Sequence, residues 1–143
     1  MGHFSGEEQE RILHAISLAE NRTSGEIRIA VEKHCKTSAI DRATHYFSRL
    51  GMDKTSRRNG VLIYLATIDR AFAIIGDEGI NRVVAPDFWE NTKNQMLDHF
   101  KKGNLVEGII EGVFQAGEQL HHYFPVSDDD INELPDDIIF GHD

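Results

Sequence analysis

Residues 60–68, Gly-Val-Leu-Ile-Tyr-Leu-Ala-Thr-Ile, form a nearly unbroken apolar run bounded by Asn59 and by Asp69-Arg70. A run of this length is far too short to cross a bilayer. It matches a strand buried on both faces. Such a strand needs a layer of structure on each side, so a two-layer fold is not enough. The segments around it supply those layers. Ile27, Ile29 and Val31 alternate with Glu26, Arg28 and Glu32, which predicts a strand with one buried face. Between the two strands, Ile40, Ala43, Phe47 and Leu50 recur at helical spacing up to Gly51, which predicts a crossover helix. Strand, helix, strand in succession implies a parallel pair. Asp69-Arg70 leads straight into Ala71 to Ile75, and so short a connection predicts an antiparallel hairpin.

Helices flank this core in the sequence. Ser5 and Glu8 stand at capping-box spacing ahead of Ile12, Leu13, Ile16 and Ala19, predicting a helix over 6–21. Gly76 to Asn81 reads as a loop. Pro86 opens a helix running to about Lys102, with Gly103 as its stop. Asn104 restarts the chain as a last helix to Phe124, and Pro125 ends it. The fold class is therefore α/β: a three-layer αβα sandwich on a small mixed sheet. The strand directions place Glu26, Asn59, Asp77 and Glu78 at one end of that sheet and Asp69 at the other.

Length and charge set the remaining bounds. A chain of 143 residues suits one domain. Its formal net charge is −9, which disfavours nucleic acid and anionic membrane surfaces and permits divalent cations. The charge is unevenly spread. Asp128, Asp129, Asp130, Glu133, Asp136, Asp137 and Asp143 crowd the C-terminus with no Lys or Arg among them. The same stretch carries Ile131, Leu134, Ile138, Ile139 and Phe140, more apolar surface than a solvated tail requires. Residues 1–125 are thus expected to form the domain, and the acidic segment 126–143 is expected to dock onto it. Glu7, Glu8 and Glu10 occupy the place of an apolar signal core, so a cytoplasmic protein is expected. The single cysteine, Cys35, excludes an internal disulfide.

Familiar catalytic signatures fail. There is no phosphate-cradling Gly-rich loop with Lys, no nucleophile elbow and no zinc-protease helix. Asp41 stands where a cysteine phosphatase with Cys35 as its nucleophile would need Arg. The eight histidines are scattered, with Glu118 and His121 at ligand spacing only once. The acidic segment carries more information. Asp128, Asp130 and Asn132 have the alternating oxygen spacing of the first half of a calcium loop. The match breaks where Glu133 replaces the turn glycine and Ile139 replaces the closing glutamate. Such a half-site needs a second acidic loop, and Asp77 and Glu78 are the natural candidates. The predicted site is a Ca²⁺ or Mg²⁺ centre on Asp77, Glu78, Asp128, Asp130 and Glu133.

Several stretches taken together resemble a known family. These are Thr23-Ser24-Gly25-Glu26-Ile27, Arg58-Asn59-Gly60-Val61-Leu62, Asp69-Arg70, Gly76-Asp77-Glu78-Gly79-Ile80, Phe88-Trp89 and the Gly-interrupted last helix. In this order and spacing, over about residues 5–124, the chain resembles the TPM domain family, named partly for thylakoid-lumen acid phosphatase and photosystem II repair proteins. Asn132-Glu133-Leu134-Pro135 is similar to its short, stand-alone bacterial branch. The resemblance implies an αβα sandwich, divalent-metal binding near the acidic loops and, for some members, phosphatase activity. Many relatives are exported and anchored, and neither signal nor anchor is read here. Asp77 and Glu78 fall in the loop after strand three, where many relatives have a Gly-Tyr-Gly-like turn. The expected function is a divalent-cation-binding module, regulatory through its acidic segment, with an unidentified protein partner. The alternative is a metal-dependent phosphatase acting on phosphate monoesters, with Lys54, Arg57 and Arg58 as cationic donors.

Overall fold

The computed structural model describes residues 4–126 and 138–141. Its elements in chain order are α1 (Gly6–Glu20), β1 (Glu26–Glu32), α2 (Ala39–Arg49), a 3₁₀ turn (Met52–Lys54), β2 (Gly60–Ala66), β3 (Ala71–Gly76), α3 (Glu78–Asn81), α4 (Phe88–Lys101), α5 (Leu105–Tyr123) and β4 (Ile138–Phe140). The four strands form one sheet in the order β3-β2-β1-β4. β1 runs parallel to β2 and to β4, and β3 runs antiparallel to β2. β4 sets Ile138 opposite Ile29 and Phe140 opposite Val31.

The apolar run of β2 lies at the centre, and all seven of its residues are buried. Its side chains alternate between two cores. Val61, Ile63 and Leu65 join Ile27, Ile29 and Val31 against Ile12, Ile16, Met96, Ile109, Val113 and Leu120 of α1, α4 and α5. Leu62, Tyr64 and Ala66 join Ala30 and Ala73 against Ala43, Tyr46, Phe47 and Met52 beneath α2. Helices on both faces of a mixed sheet make the three-layer sandwich.

Three local readings need correction. β1 is not half-solvated: every residue from Glu26 to Glu32 is buried. β2 and β4 flank it, and at its end Glu32 meets Arg42 and Tyr46 of α2 and Tyr64 of β2 instead of water. The stretch after β3 is not simply a loop, because Asp77 caps the single turn of α3. α4 begins at Phe88 rather than at Pro86.

The start of α1 follows its sequence signal. The Ser5 hydroxyl accepts from the Glu8 N–H at 3.1 Å, and the Glu8 carboxylate accepts from the Ser5 N–H at 2.8 Å. Ser5→Ala removes the hydroxyl that accepts from the Glu8 N–H and is expected to cost about 1 kcal/mol of stability, measured by urea denaturation.

Candidate functional site

Register builds one end of the sheet. Glu26 lies opposite Gly60, and the Asp77 N–H donates to the Gly60 carbonyl at 2.9 Å. Glu26, Gly60 and Asp77 therefore form one row across β1, β2 and the end of β3. All three positions belong to the α2 face, since they keep step with Ala30, Leu62 and Ala73. Asp77 accepts from the Glu78 N–H at 2.8 Å and so fixes the first turn of α3.

Arg58 controls this corner. Among the described residues it is one of two non-glycine residues with positive φ, at 52°. That conformation is costly for an L-residue and is held by what the residue does. Its carbonyl accepts from the Gly79 N–H at 2.7 Å. Its guanidinium donates from Nε to Asp77 Oδ2 at 2.7 Å and from Nη2 to Asp77 Oδ1 at 2.9 Å. This is the bidentate fork that suits arginine and carboxylate, and the hydrogen bond to Asp77 pushes the Arg58 pKa up. Glu78 is half-exposed and lies 3.6 Å from Arg58 and 3.5 Å from Arg82. Next to it, the Ser24 hydroxyl accepts from Arg57 Nη1 at 3.1 Å and from Asn59 Nδ2 at 3.3 Å.

Of the predicted ligands, Asp77 and Glu78 are neighbours here, and Glu26 and Asn59 reach the same end of the sheet. Asp128, Asp130 and Glu133 lie outside the described residues. Among the described residues, no group of three or more His, Cys, Asp and Glu side chains is arranged to hold a metal. The donor chemistry nonetheless suits a hard cation. A carboxylate has about four lone-pair positions. Asp77 uses three of them, and Glu78 is open on its solvent side. A cation must compete with Arg58 for Asp77. The same pairing bears on phosphoryl transfer, because the Arg58 fork is already committed.

A second polar constellation, which sequence reasoning missed, sits at the carboxyl end of β1. Glu32 is 3% exposed. It accepts from Arg42 Nε at 2.8 Å, from Arg42 Nη2 at 2.9 Å, from the Tyr46 hydroxyl at 2.9 Å and from the Tyr64 hydroxyl. Burial alone would raise its pKa. The hydrogen bonds from Arg42, Tyr64 and Tyr46 outweigh that and bring it down to about 2. Burial and the Glu32 carboxylate push both phenols up. A four-residue spacing of Arg42 and Tyr46 on α2, facing a strand-end glutamate, is the signal that could have found it. Beside it, Asp69 accepts from the Cys35 N–H at 2.7 Å and meets His34 Nδ1 at 3.1 Å. The Glu118 and His121 pair is structural: Glu118 meets Arg22 at 2.9 Å, and the His121 ring meets the Arg22 carbonyl.

Comparison with known proteins agrees with this architecture. A TPM domain model matches residues 1–119, and the chain belongs to the TPM domain family. It is similar to the BA42 protein of the psychrophilic bacterium Bizionia argentinensis, known from an NMR structure. The identity is 46%, over 98% of this chain and 97% of that one, with a TM-score of 0.90. It shares its fold with the N-terminal domain of a protein from P. gingivalis, at 19% identity over 86% of this chain and 80% of that one, with a TM-score of 0.69. A comparison with curated proteins finds no match. Among the described residues, no helix is long and apolar enough to cross a membrane.

Proposed function

We propose that this TPM-domain protein is a divalent-cation-binding module that takes Ca²⁺ or Mg²⁺ at the Asp77–Glu78 end of the sheet. The observation that carries this reading is the pair itself. A buried and an exposed carboxylate are adjacent at the first turn of α3, held by the register of β2 and β3. Two hard-oxygen side chains, completed by water or further oxygens, are the donors such cations accept. Asp77 would exchange its Arg58 fork for the cation, and Arg58 would be released from the contact that holds its left-handed backbone. The 57–58 loop then has two arrangements, which is what a binding module needs to present a partner with different surfaces.

The test is calorimetric titration of the full chain with Ca²⁺ and with Mg²⁺ after chelation. Saturable heat and a raised thermal midpoint are expected. Asp77→Asn and Glu78→Gln should each weaken binding by about tenfold, equivalent to ~1.4 kcal/mol. Arg58→Gln removes the competitor and should tighten it. Absence of heat in every case overturns the proposal. Release of phosphate from an aryl phosphate with Mg²⁺, lost in Asp77→Asn, would replace the module reading with hydrolysis.

A further inference from the structure

At the end of the sheet opposite Asp77, the surface opens into a groove of about 540 Å³. This lies within the roughly 300–1,000 Å³ of small-molecule sites. Two turns form its lips. One is the β2–β3 turn, residues 67–70, whose backbone is anchored to β1: Thr67 donates to the Glu32 carbonyl and Ile68 to the Lys33 carbonyl, each at 2.9 Å. The other is the α4–α5 turn, where Gly103 takes φ 79°. Phe72, Leu97, Phe100 and Leu105 line the groove and are only partly buried. Phe72 and Phe100 meet edge to face at 4.8 Å between centroids, so the aromatic wall is preset.

The charge in this groove reverses that of the chain. The protein carries a net charge of −9, yet the groove lining contains Arg70 and Lys101 and, among the described residues, no acid. Neither cation makes an ion pair or hydrogen bond with its side chain among the described residues. Arg70 is the second non-glycine residue at positive φ among the described residues, 55°. The first, Arg58, is held that way by the Asp77 and Gly79 contacts. Among the described residues Arg70 has no comparable side-chain contact, although its turn is tied to the end of β1. Two exposed cations at the rim, unpaired among the described residues, beside apolar walls and with no acid among the described lining residues, favour an anion there.

We propose that this groove is a binding site for a small amphipathic carboxylate. An alkyl or aromatic body lies against Phe72, Leu97, Phe100 and Leu105, and the carboxylate sits at the rim formed by Arg70 and Lys101. The site lies away from the Asp77 corner and does not depend on a metal. The probe is decanoate, added to the full chain in buffer containing a chelator and followed by amide chemical shifts. Saturable shifts are expected at Thr67, Arg70, Phe72, Leu97, Lys101 and Leu105. Decanol, with the same body and no charge, should bind more weakly. Arg70→Gln and Lys101→Gln should each weaken decanoate by about fivefold, as for a partly exposed ion pair, and leave the thermal midpoint unchanged. The proposal is overturned by absence of saturable shifts or by decanol binding as well as decanoate. It is also overturned if the shifts centre instead on a second apolar groove among the described residues, between α1 and α5 and lined by Leu18 and Phe114.

Discussion

Glu32→Gln is expected to destabilise the protein by about 3 kcal/mol at neutral pH and to flatten its stability profile in acid. The cost follows from the four donors that converge on this carboxylate, two from Arg42 and one each from Tyr46 and Tyr64. An amide is neutral and turns an NH₂ group toward at least one of those donors. Arg42 then loses its counter-charge, and losing one partner of a buried pair costs about 3–5 kcal/mol. The lower end applies, because the Arg42 side chain is 23% exposed and can partly rehydrate.

The pH dependence has a definite sign. Glu32 is held at about 2 in the folded protein, against 4.5 as its ordinary value. The unfolded chain therefore takes up the proton first as the pH falls. The stabilisation from Glu32 is complete above about pH 5, declines through the ordinary glutamate range, and is lost once the pH passes below about 2. Urea denaturation at a series of pH values from 2 to 7 measures it. The native protein should lose stability across that window, and the Gln variant should lose about 3 kcal/mol less. Parallel curves for the two proteins would show that Glu32 is not held as described.

What the sequence makes legible here is what repeats locally. The apolar run of β2, the capping box of α1 and the stop at Gly103 are each read from a few consecutive residues, and each stands where those residues put it. β1 is misread for the opposite reason. Alternating charged residues look like a solvated face, but their burial depends on partners supplied by α2 and β2, far along the chain. No periodicity announces such a pairing. The candidate site divides the same way. Asp77 and Glu78 stand out as loop acids, while the arginine that neutralises Asp77 lies 19 residues earlier. Nothing in Arg58-Asn59 marks a left-handed backbone, since glycine, the usual signal, is absent. The Arg70–Lys101 groove is harder still. It arises where two unrelated turns meet; Asp69-Arg70 and Gly103 each mark a turn, but neither marks the other.

Gly79→Ala is expected to be the most damaging small substitution at the candidate site. A Cβ at this position would stand 2.2 Å from the Arg57 carbonyl oxygen and 2.5 Å from that of Arg58. Both obstacles are backbone, so no side chain can swing aside. The 57–58 loop or α3 must move, and either movement breaks the 2.7 Å bond from the Gly79 N–H to Arg58 and loosens the Arg58–Asp77 fork. Overpacking costs about 1–3 kcal/mol where neighbours can adjust, and the rigid backbone here puts Gly79→Ala at about 3 kcal/mol or above. Two other glycines calibrate this. At Gly112 a Cβ meets the Met96 sulfur at 2.7 Å, and the flexible thioether can yield, so Gly112→Ala should cost less. At Gly6 nothing lies within 4 Å, and alanine suits the first turn of α1, so Gly6→Ala should be neutral or stabilising by up to about 1 kcal/mol. Urea denaturation of the three variants should rank them 79, 112, 6 in order of damage. If Gly79→Ala matches Gly6→Ala, the close approach of α3 to the 57–58 loop is wrong, and the Asp77 corner built on that approach is wrong with it.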